Sequence, residues 1–239
     1  MGVALSVVVP VKDEAANVGP LAREIAAALG AEAPHEIIFV DDGSSDGTAE
    51  ALKALKTEIP ALRVLRHDRN LGQSRGIRTG AMAARGPIIV TLDGDGQNDP
   101  ADIPKLLRVL EAEPDVGLVS GVRTERRDTA SRRLASRLGN GFRNWLLKDG
   151  ATDTGCGLKA FRRDLFLAMP YFDHIHRFLI ALARREGWQV RFVPVNHRPR
   201  TAGQSKYTNL GRLLVSGADL LGVRWLLRRH RGRAGIEEL

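Results

Sequence analysis

The segment Thr91-Leu92-Asp93-Gly94-Asp95-Gly96-Gln97 sets two carboxylates two residues apart where an apolar run opens into a loop. Like charges at that spacing repel, and each raises the other's pKa unless something positive lies between them. A hard cation such as Mg2+ or Mn2+, which takes oxygen ligands, resolves the conflict. Gly94 and Gly96 give the backbone room to approach a bulky polyphosphate. In isolation the stretch also fits an exposed Asp/Gly-rich turn. Two further clusters argue against that: Lys12-Asp13-Glu14 follows one apolar run and Asp41-Asp42 follows another. Ser45 or Asp46 would cap the next helix. Capping does not account for two adjacent acids directly after a strand, where a donor-rich nucleobase or ribose would bind. The first apolar run is not followed by a Gly-x-Gly-x-x-Gly fingerprint, and there is no Walker phosphate loop. What remains is a diphosphate bound through a metal and acidic loops.

The elements that must position these groups alternate. Apolar, β-branched runs at 5–10, 37–40, 62–65, 87–92 and 116–120 predict buried strands. Helices are predicted between them: one capped by Asn17 and stopped by Gly30, one through Ala49, Leu52 and Leu55, one over 73–84 despite Gly76 and Gly80, and one over 103–111. That rhythm predicts an α/β fold, a parallel sheet covered on both faces, with ligands beyond the carboxyl ends of its strands. After residue 120 the rhythm changes. A basic helix is expected over 131–147, a strand over 157–161, helices over 163–169 and 175–186, and a strand over 189–195. Residues 198–206 look like a loop, and 209–230 like an amphipathic helix.

Composition narrows the class. The chain of 239 residues is 43% hydrophobic and 27% charged, which suits one α/β domain with appendages. A single cysteine, Cys156, rules out an internal disulfide or a thiolate metal cluster, and its place between glycines suits a small packing residue. The net charge of +8 is concentrated. Residues 123–148 hold eight Arg/Lys against two acids, and 197–239 hold nine against three. A positive surface of that kind implies a polyanionic partner: nucleic acid, anionic lipid or a phosphorylated substrate. The apolar start is too short for a secretory leader, and no run is long enough to span a bilayer. A cytoplasmic location is the default expectation.

VVVPVKDE, VDDGSSDGT and LDGDGQNDP, in that order, resemble the nucleotide-binding half of the inverting family-two glycosyltransferases of the GT-A fold. SGVR at 120–123, SRLGN at 136–140, DTGCGLKAF at 153–161 and RPRTAGQSK at 198–206 resemble the polyprenyl-phosphate glycosyltransferases, among them the dolichol-phosphate mannosyltransferases. The resemblance covers roughly 5–225. It implies a Rossmann-like, mostly parallel sheet flanked by helices: a GT-A domain over 1–208, with a nucleotide-sugar half at 1–122 and an acceptor half at 123–208, then a C-terminal amphipathic basic helix and tail at 209–239. It also implies roles. Pro10, Lys12 and Glu14 line the nucleotide pocket, although Lys12 departs from the family pattern. Val40 and Asp42 contact the nucleoside. Asp93, Asp95 and Gln97 hold Mg2+ or Mn2+, with Gly94 against the donor. Arg123 lies near the donor and acceptor phosphates, Arg200 and Lys206 close over the diphosphate, and Arg137 holds the acceptor phosphate.

The chemistry implied is transfer of a sugar from a GDP- or UDP-sugar to a polyprenyl phosphate. The metal and the Arg/Lys set would stabilise the leaving diphosphate. A phosphate acceptor is already ionised and needs no strong base; for a saccharide hydroxyl, the second enzymatic reading, Asp95 or Asp99 would have to serve. A nucleic-acid-binding module is a weaker reading, because the acidic strand ends repel phosphate and aromatic content is only 5%. The intact Asp93, Asp95 and Gln97 argue against an inactive relative. The acceptor is a lipid, so peripheral contact with the cytoplasmic face is expected. Two basic helices would mediate it. One joins Arg132, Arg133, Arg137 and Arg143 to Leu134, Leu138, Phe142 and Trp145; the other joins Arg224, Arg228, Arg229 and Arg231 to Leu213, Leu214, Leu221, Trp225 and Leu226. A membrane-protein partner or a homodimer are alternative uses of those faces.

Overall fold

The computed structural model describes residues 3–30, 34–124, 141–199, 209–230 and 232. In chain order its elements are β1 (Leu5–Val11), α1 (Ala15–Leu29), β2 (His35–Asp41), α2 (Thr48–Leu55), β3 (Leu62–Arg66), α3 (Gln73–Ala83), β4 (Ile88–Thr91), α4 (Ile103–Ala112) and β5 (Val116–Arg123). A helix at 141–147 (α5) follows, then β6 (Lys159–Arg162), α6 (Arg163–Ala168), α7 (Leu179–Arg185), β7 (Gln189–Val195) and α8 (Asn209–Arg229). The strands form one seven-stranded sheet in the order β3-β2-β1-β4-β6-β5-β7.

The pairs β1–β2, β1–β4, β2–β3 and β5–β7 are parallel, whereas β6 runs antiparallel to both β4 and β5. The mostly parallel sheet flanked by helices is thus the one expected, with β6 as its antiparallel member. The chain leaves β5 at Arg123 and re-enters as β6 at the same edge, with Ser120 opposite Lys159. It can then only run back against its neighbours. Both faces of the sheet are covered, which is why its strands are apolar without interruption. Val7, Val9, Ile37, Phe39 and Val90 pack on α1, α2 and α4, while Val8, Ile38, Val40 and Ile89 pack towards α3, α6 and α7. Period-two alternation along each strand produces the two clusters.

The glycines within α3 have a packing reason. A Cβ on Gly76 would lie 2.9 Å from Pro10 Cβ, and one on Gly80 would lie 2.3 Å from Val8 Cγ1. The helix therefore rests on β1 more closely than a side chain would allow, and its first residue, Gln73, comes to the carboxyl end of the sheet.

Several local expectations are corrected. Asn17 does not cap α1, which starts at Ala15; its Nδ2 instead donates to Glu14 Oε2 at 2.6 Å. Asp46 accepts from Ala15 N and Thr48 N, each at 3.1 Å, so it ties the starts of α1 and α2 together. The N-cap of α2 is Gly47, at φ 87°. The helix expected over 175–186 is broken at Phe178 into a 3-10 turn, Ile175–Arg177, and α7. The described part of α8 is not apolar on one side alone. Val223 is buried with Leu220 and Leu227 packed beside it, while Leu221 and Trp225 point outward. Only 141–147 of the helix expected over 131–147 falls within the described residues.

Candidate active site

Strand order reverses across β1, which lies between β2 and β4. In open α/β sheets that switch point opens a crevice beyond the carboxyl ends of the strands. The acidic loops after β1, β2 and β4 all emerge on this edge. So do Arg123 at the end of β5, Lys159 at the start of β6, and Asn196 to Arg198 after β7. The reversal of β6 is what brings the segment 153–159 to the same place.

Asp93 is the centre of the arrangement. Its backbone N–H donates to Asn98 Oδ1 at 3.1 Å, and its Oδ1 accepts from Gln73 Nε2 at 2.7 Å. Its carboxylate lies in the space a side chain at 157 would fill: a Cβ on Gly157 would be 2.3 Å from Oδ2. Burial, and then the charge of Asp95, push Asp93 up to about 6, against the pull of Lys159, the Gln73 hydrogen bond and Arg123. Asp95 is nearly buried, and its Oδ1 accepts from Gln97 N at 3.1 Å. Gln97 donates through Nε2 to Arg198 O at 3.4 Å. Gly94 serves the fold first, since a Cβ there would lie 2.4 Å from Val11 Cγ1.

The loops after β1 and β2 are knitted to each other. Lys12 Nζ donates to Gly43 O at 2.9 Å, Asp13 N to Ser44 Oγ at 2.8 Å, and Glu14 N to Thr48 Oγ1 at 2.9 Å. Asp13 adopts φ 51°, a left-handed conformation that the surrounding bonds must stabilise. Asp41 is fully buried, accepting from Ser44 N at 2.9 Å and lying 3.2 Å from Arg66 Nε. Asp42 is turned towards the protein. It accepts from Leu71 N at 2.9 Å and Gly72 N at 2.8 Å, and it pairs with His67 Nδ1 at 2.7 Å. A carboxylate has about four acceptor sites, so three of them are spent internally. Pro10 and Val40 are buried beneath Gly76 of α3. These side chains seat the helix, and the nucleotide contact expected of both residues stays a proposal.

The opposite wall is basic. Arg123 makes a two-pronged ion pair with Asp153, Nε to Oδ2 and Nη2 to Oδ1, each at 2.7 Å. Burial opposes the charge on Arg123, but Asp153 outweighs it and holds the guanidinium above its ordinary value. Lys159 is buried and donates to Cys156 O. Burial pushes its ammonium below the usual lysine value, against the pull of Cys156, Asp93 and Asp153. Burial also pushes the Cys156 thiol up, which fits a packing residue and not a nucleophile. Arg198 straps this side to α1, reaching Glu24 Oε2 at 2.5 Å and Asp99 Oδ1 at 2.7 Å. Burial raises Asp99, but bonds from Ala101 N, Asn196 and Arg198 outweigh it and leave the carboxylate below its ordinary value. Asp99 is therefore a poor general base. His174 and His176 form no metal pair: His174 meets Asp219 at 3.1 Å, while His176 meets Ser74 Oγ at 2.7 Å and is held neutral by burial, down to about 3.

The donor set suits a hard divalent cation. Among the described residues, no cluster of three or more His, Cys, Asp or Glu surrounds a possible metal position. An ion at Asp93 and Asp95 would complete its shell with the Gln97 amide oxygen, phosphate and water, the arrangement Mg2+ and Mn2+ commonly take. Burial, and then the charge of Asp95, raise the Asp93 pKa, and a divalent cation would supply the opposing charge. Of the other expected residues, Arg137, Arg200 and Lys206 lie outside the described residues. Sequence reasoning gave no role to Gln73, Asp153, Gly157, Lys159 or His67. Asp153, Gly157 and Lys159 all stand in the quoted DTGCGLKAF segment, and that was the available signal.

Comparison with known proteins agrees with this geometry. The model of glycosyl transferase family 2 matches residues 6–168. The chain is 36% identical over 243 residues to the dodecaprenyl-phosphate galacturonate synthase of Rhizobium johnstonii, covering 97% of this chain and 69% of that protein. It is 37% identical over 206 residues to the undecaprenyl-phosphate 4-deoxy-4-formamido-L-arabinose transferase of Edwardsiella ictaluri, covering 85% of this chain and 62% of that protein. The chain thus spans about two thirds of the length of these relatives. Among solved structures, glucosyl-3-phosphoglycerate synthase of Mycobacterium tuberculosis, in complex with Mn2+, UDP and glucosyl-3-phosphoglycerate, superposes with a TM-score of 0.72 at 20% identity, covering 98% of this chain and 82% of that one. A mannosyltransferase of Pyrobaculum calidifontis, in complex with GDP-Man and Mn2+, gives 0.66 at 22% identity, covering 98% and 66%. Together with the order and placement of the acidic loops, these matches show that the chain belongs to glycosyl transferase family 2.

Proposed function

We propose that this chain is a metal-dependent, inverting glycosyltransferase that moves a sugar from a GDP- or UDP-sugar to a polyprenyl phosphate at a membrane surface. The observation that carries the reading is the Asp93–Asp95 pair at the sheet's switch point, facing Arg123 and Lys159. Asp93, Asp95 and Gln97 would hold Mg2+ or Mn2+, which neutralises charge on the leaving diphosphate when bound. Lys12 and Glu14 belong to the loop beside the nucleotide. Arg123, fixed by Asp153, presents a guanidinium towards the phosphates without rotamer freedom to lose. Arg200 and Lys206 are assigned to closure over the diphosphate and Arg137 to the acceptor phosphate, on the resemblance of their segments alone. The halves at 1–122 and 123–208 divide the work between donor and acceptor.

A phosphate acceptor is favoured over a saccharide hydroxyl because both candidate bases are engaged: Asp95 is assigned to the metal, and Asp99 is tied to Arg198 and Asn196 and held below its ordinary value. A lipid phosphate needs no base; a hydroxyl does. The two relatives named above carry dodecaprenyl and undecaprenyl phosphate in their names, which supports the same acceptor class. The test is incubation of the full chain with UDP- or GDP-sugars, Mn2+ and undecaprenyl phosphate, with the anomeric configuration of any glycolipid read by NMR. An inverted glycosyl phospholipid is expected. Transfer to a saccharide hydroxyl with none to the lipid would sink the reading.

Contact with the bilayer is part of the proposal. No described helix is long and apolar enough to cross a membrane. Phe142 and Trp145 on α5 are 57% and 70% exposed, and Leu221 and Trp225 on α8 are 65% and 58% exposed. The two helices meet where Arg224 Nη1 donates to Leu146 O at 2.7 Å. Arg229 lies 5.8 Å over the Trp225 ring. Exposed aromatic residues beside arginines suit the headgroup layer of an anionic leaflet. Flotation with anionic liposomes is expected to carry the protein upward. Absence from the lipid fraction at moderate salt would count against this contact.

A further inference from the structure

Asp93 is one end of a chain of contacts that begins at the other acidic loop. Gln73 opens α3 and donates to Asp93 Oδ1 at 2.7 Å. The residues just before it, Leu71 and Gly72, donate their backbone N–H groups to the two oxygens of Asp42 at 2.9 and 2.8 Å. Asp42 in turn pairs with His67 Nδ1 at 2.7 Å, and His67 Nε2 meets Thr79 Oγ1 at 2.9 Å, on the second turn of α3. The turn between β3 and α3 is therefore fastened to the exit of β2 and to its own helix. Both nitrogens of a nearly buried imidazole are committed to that fastening. Other constraints on Asp93 are the glycine wall at 157, the Asn98 bond on its backbone, and the charges of Asp95, Lys159 and Arg123.

We propose that Gln73 is the positioning residue that aims the Asp93 carboxylate at the cation, and that the His67–Asp42 pair holds Gln73 in place. The inference rests on the reading of Asp93 as a metal ligand. It gives Asp42, expected to touch the nucleoside, a purpose at the metal end of the site. A carboxylate with one oxygen held by a fixed amide loses less freedom on binding an ion. Partners of this outer kind are typically worth about 10- to 100-fold in metal affinity.

The test titrates MnCl2 alone, without nucleotide, into the full chain and follows the free-ion signal by EPR. Gln73→Leu is expected to weaken Mn2+ binding by about 10- to 100-fold with its melting transition retained. Asp42→Asn is expected to weaken it as well, although Asp42 is not a ligand. Thr79→Val, which removes only the far anchor of His67, is a milder variant expected near the tenfold end. Asp93→Asn should abolish binding. If Asp93→Asn loses Mn2+ while Gln73→Leu binds like the wild type, the positioning role is overturned and the metal reading stands. If Asp93→Asn binds like the wild type, both fall. If Gln73→Leu is weakened while Asp42→Asn and Thr79→Val are not, the His67–Asp42 half is overturned and Asp42 returns to direct contact with the nucleoside.

Discussion

Replacing Gly157 with alanine puts a single methyl group against the carboxylate on which the site depends. The added Cβ would lie 2.3 Å from Asp93 Oδ2, 2.4 Å from its Cγ and 2.6 Å from its Oδ1, against the 3.4 Å of ordinary contact. The carboxylate must therefore retreat by roughly 1 Å, the difference between a clash and a normal contact. Gly157 is not among the positive-φ glycines, so alanine meets no backbone penalty there. The obstructing atoms end a side chain and are not main chain. The fold should yield locally at a cost of about 1–3 kcal/mol, the usual range for overpacking. Function is more exposed, because a misplacement of about 1 Å in a positioned catalytic group can cost about 100-fold, or some 2.7 kcal/mol of barrier. The assay is kcat/KM for sugar transfer to polyprenyl phosphate across a Mn2+ series, with thermal melting in parallel. A cooperative melt with kcat/KM reduced about 100-fold is expected. A folded variant with wild-type kcat/KM and wild-type Mn2+ dependence would refute the claim that this carboxylate is the working group.

Other perturbations have definite signs. Burial pushes Asp93 up to about 6 from its ordinary 3.8; the metal-free fold is therefore penalised progressively as pH rises between those values, and in full above about 6. Asp93→Asn should then raise the melting temperature of the metal-free protein at pH 8, by the equivalent of up to about 3 kcal/mol, while removing any Mn2+ response. In the wild type, protons compete with the cation. Stabilisation by Mn2+ with UDP or GDP should be full at pH 7.5 and fade as pH falls through about 6, as thermal shift would show. Asp153→Ala strands the mostly buried Arg123 guanidinium and should cost about 3 kcal/mol in denaturant unfolding. Trp145→Ser with Trp225→Ser should abolish liposome flotation and leave the melting temperature within a degree or two, since both rings face solvent.

The first half of the chain was legible because its central strands are buried on both faces and three of them, β1, β2 and β4, lead into acids. Apolar runs marked β1 to β5, and the groups needing a cation stood directly after them. The direction of β6 could not be read, because four residues such as Lys159–Arg162 carry no sign of which way they run; only the return of the chain to the same edge decides it. Helix periodicity over 175–186 did not show the left-handed His174, φ 65°, that starts a separate turn. In the site, the motifs pointed to the carboxylates proposed to hold the metal but not to the residues proposed to aim them. Gln73 and His67 lie outside any acidic cluster, and Gln73 reaches Asp93 because Gly76 and Gly80 let α3 rest on β1. That closeness depends on a contact between elements, which spacing along the chain does not encode. Asp42 was read as facing a ligand since it follows a strand; the turn that folds back over it supplies the donors first.

The most direct measurement is an anomalous difference map, collected at the manganese edge from crystals of the full chain grown with MnCl2 and either UDP or GDP. The account predicts a single strong peak shared by Asp93 and Asp95, with Gln97 beside it and the diphosphate on its open side. A bound nucleotide with no manganese at that pair, or with the ion held by other side chains, would contradict it.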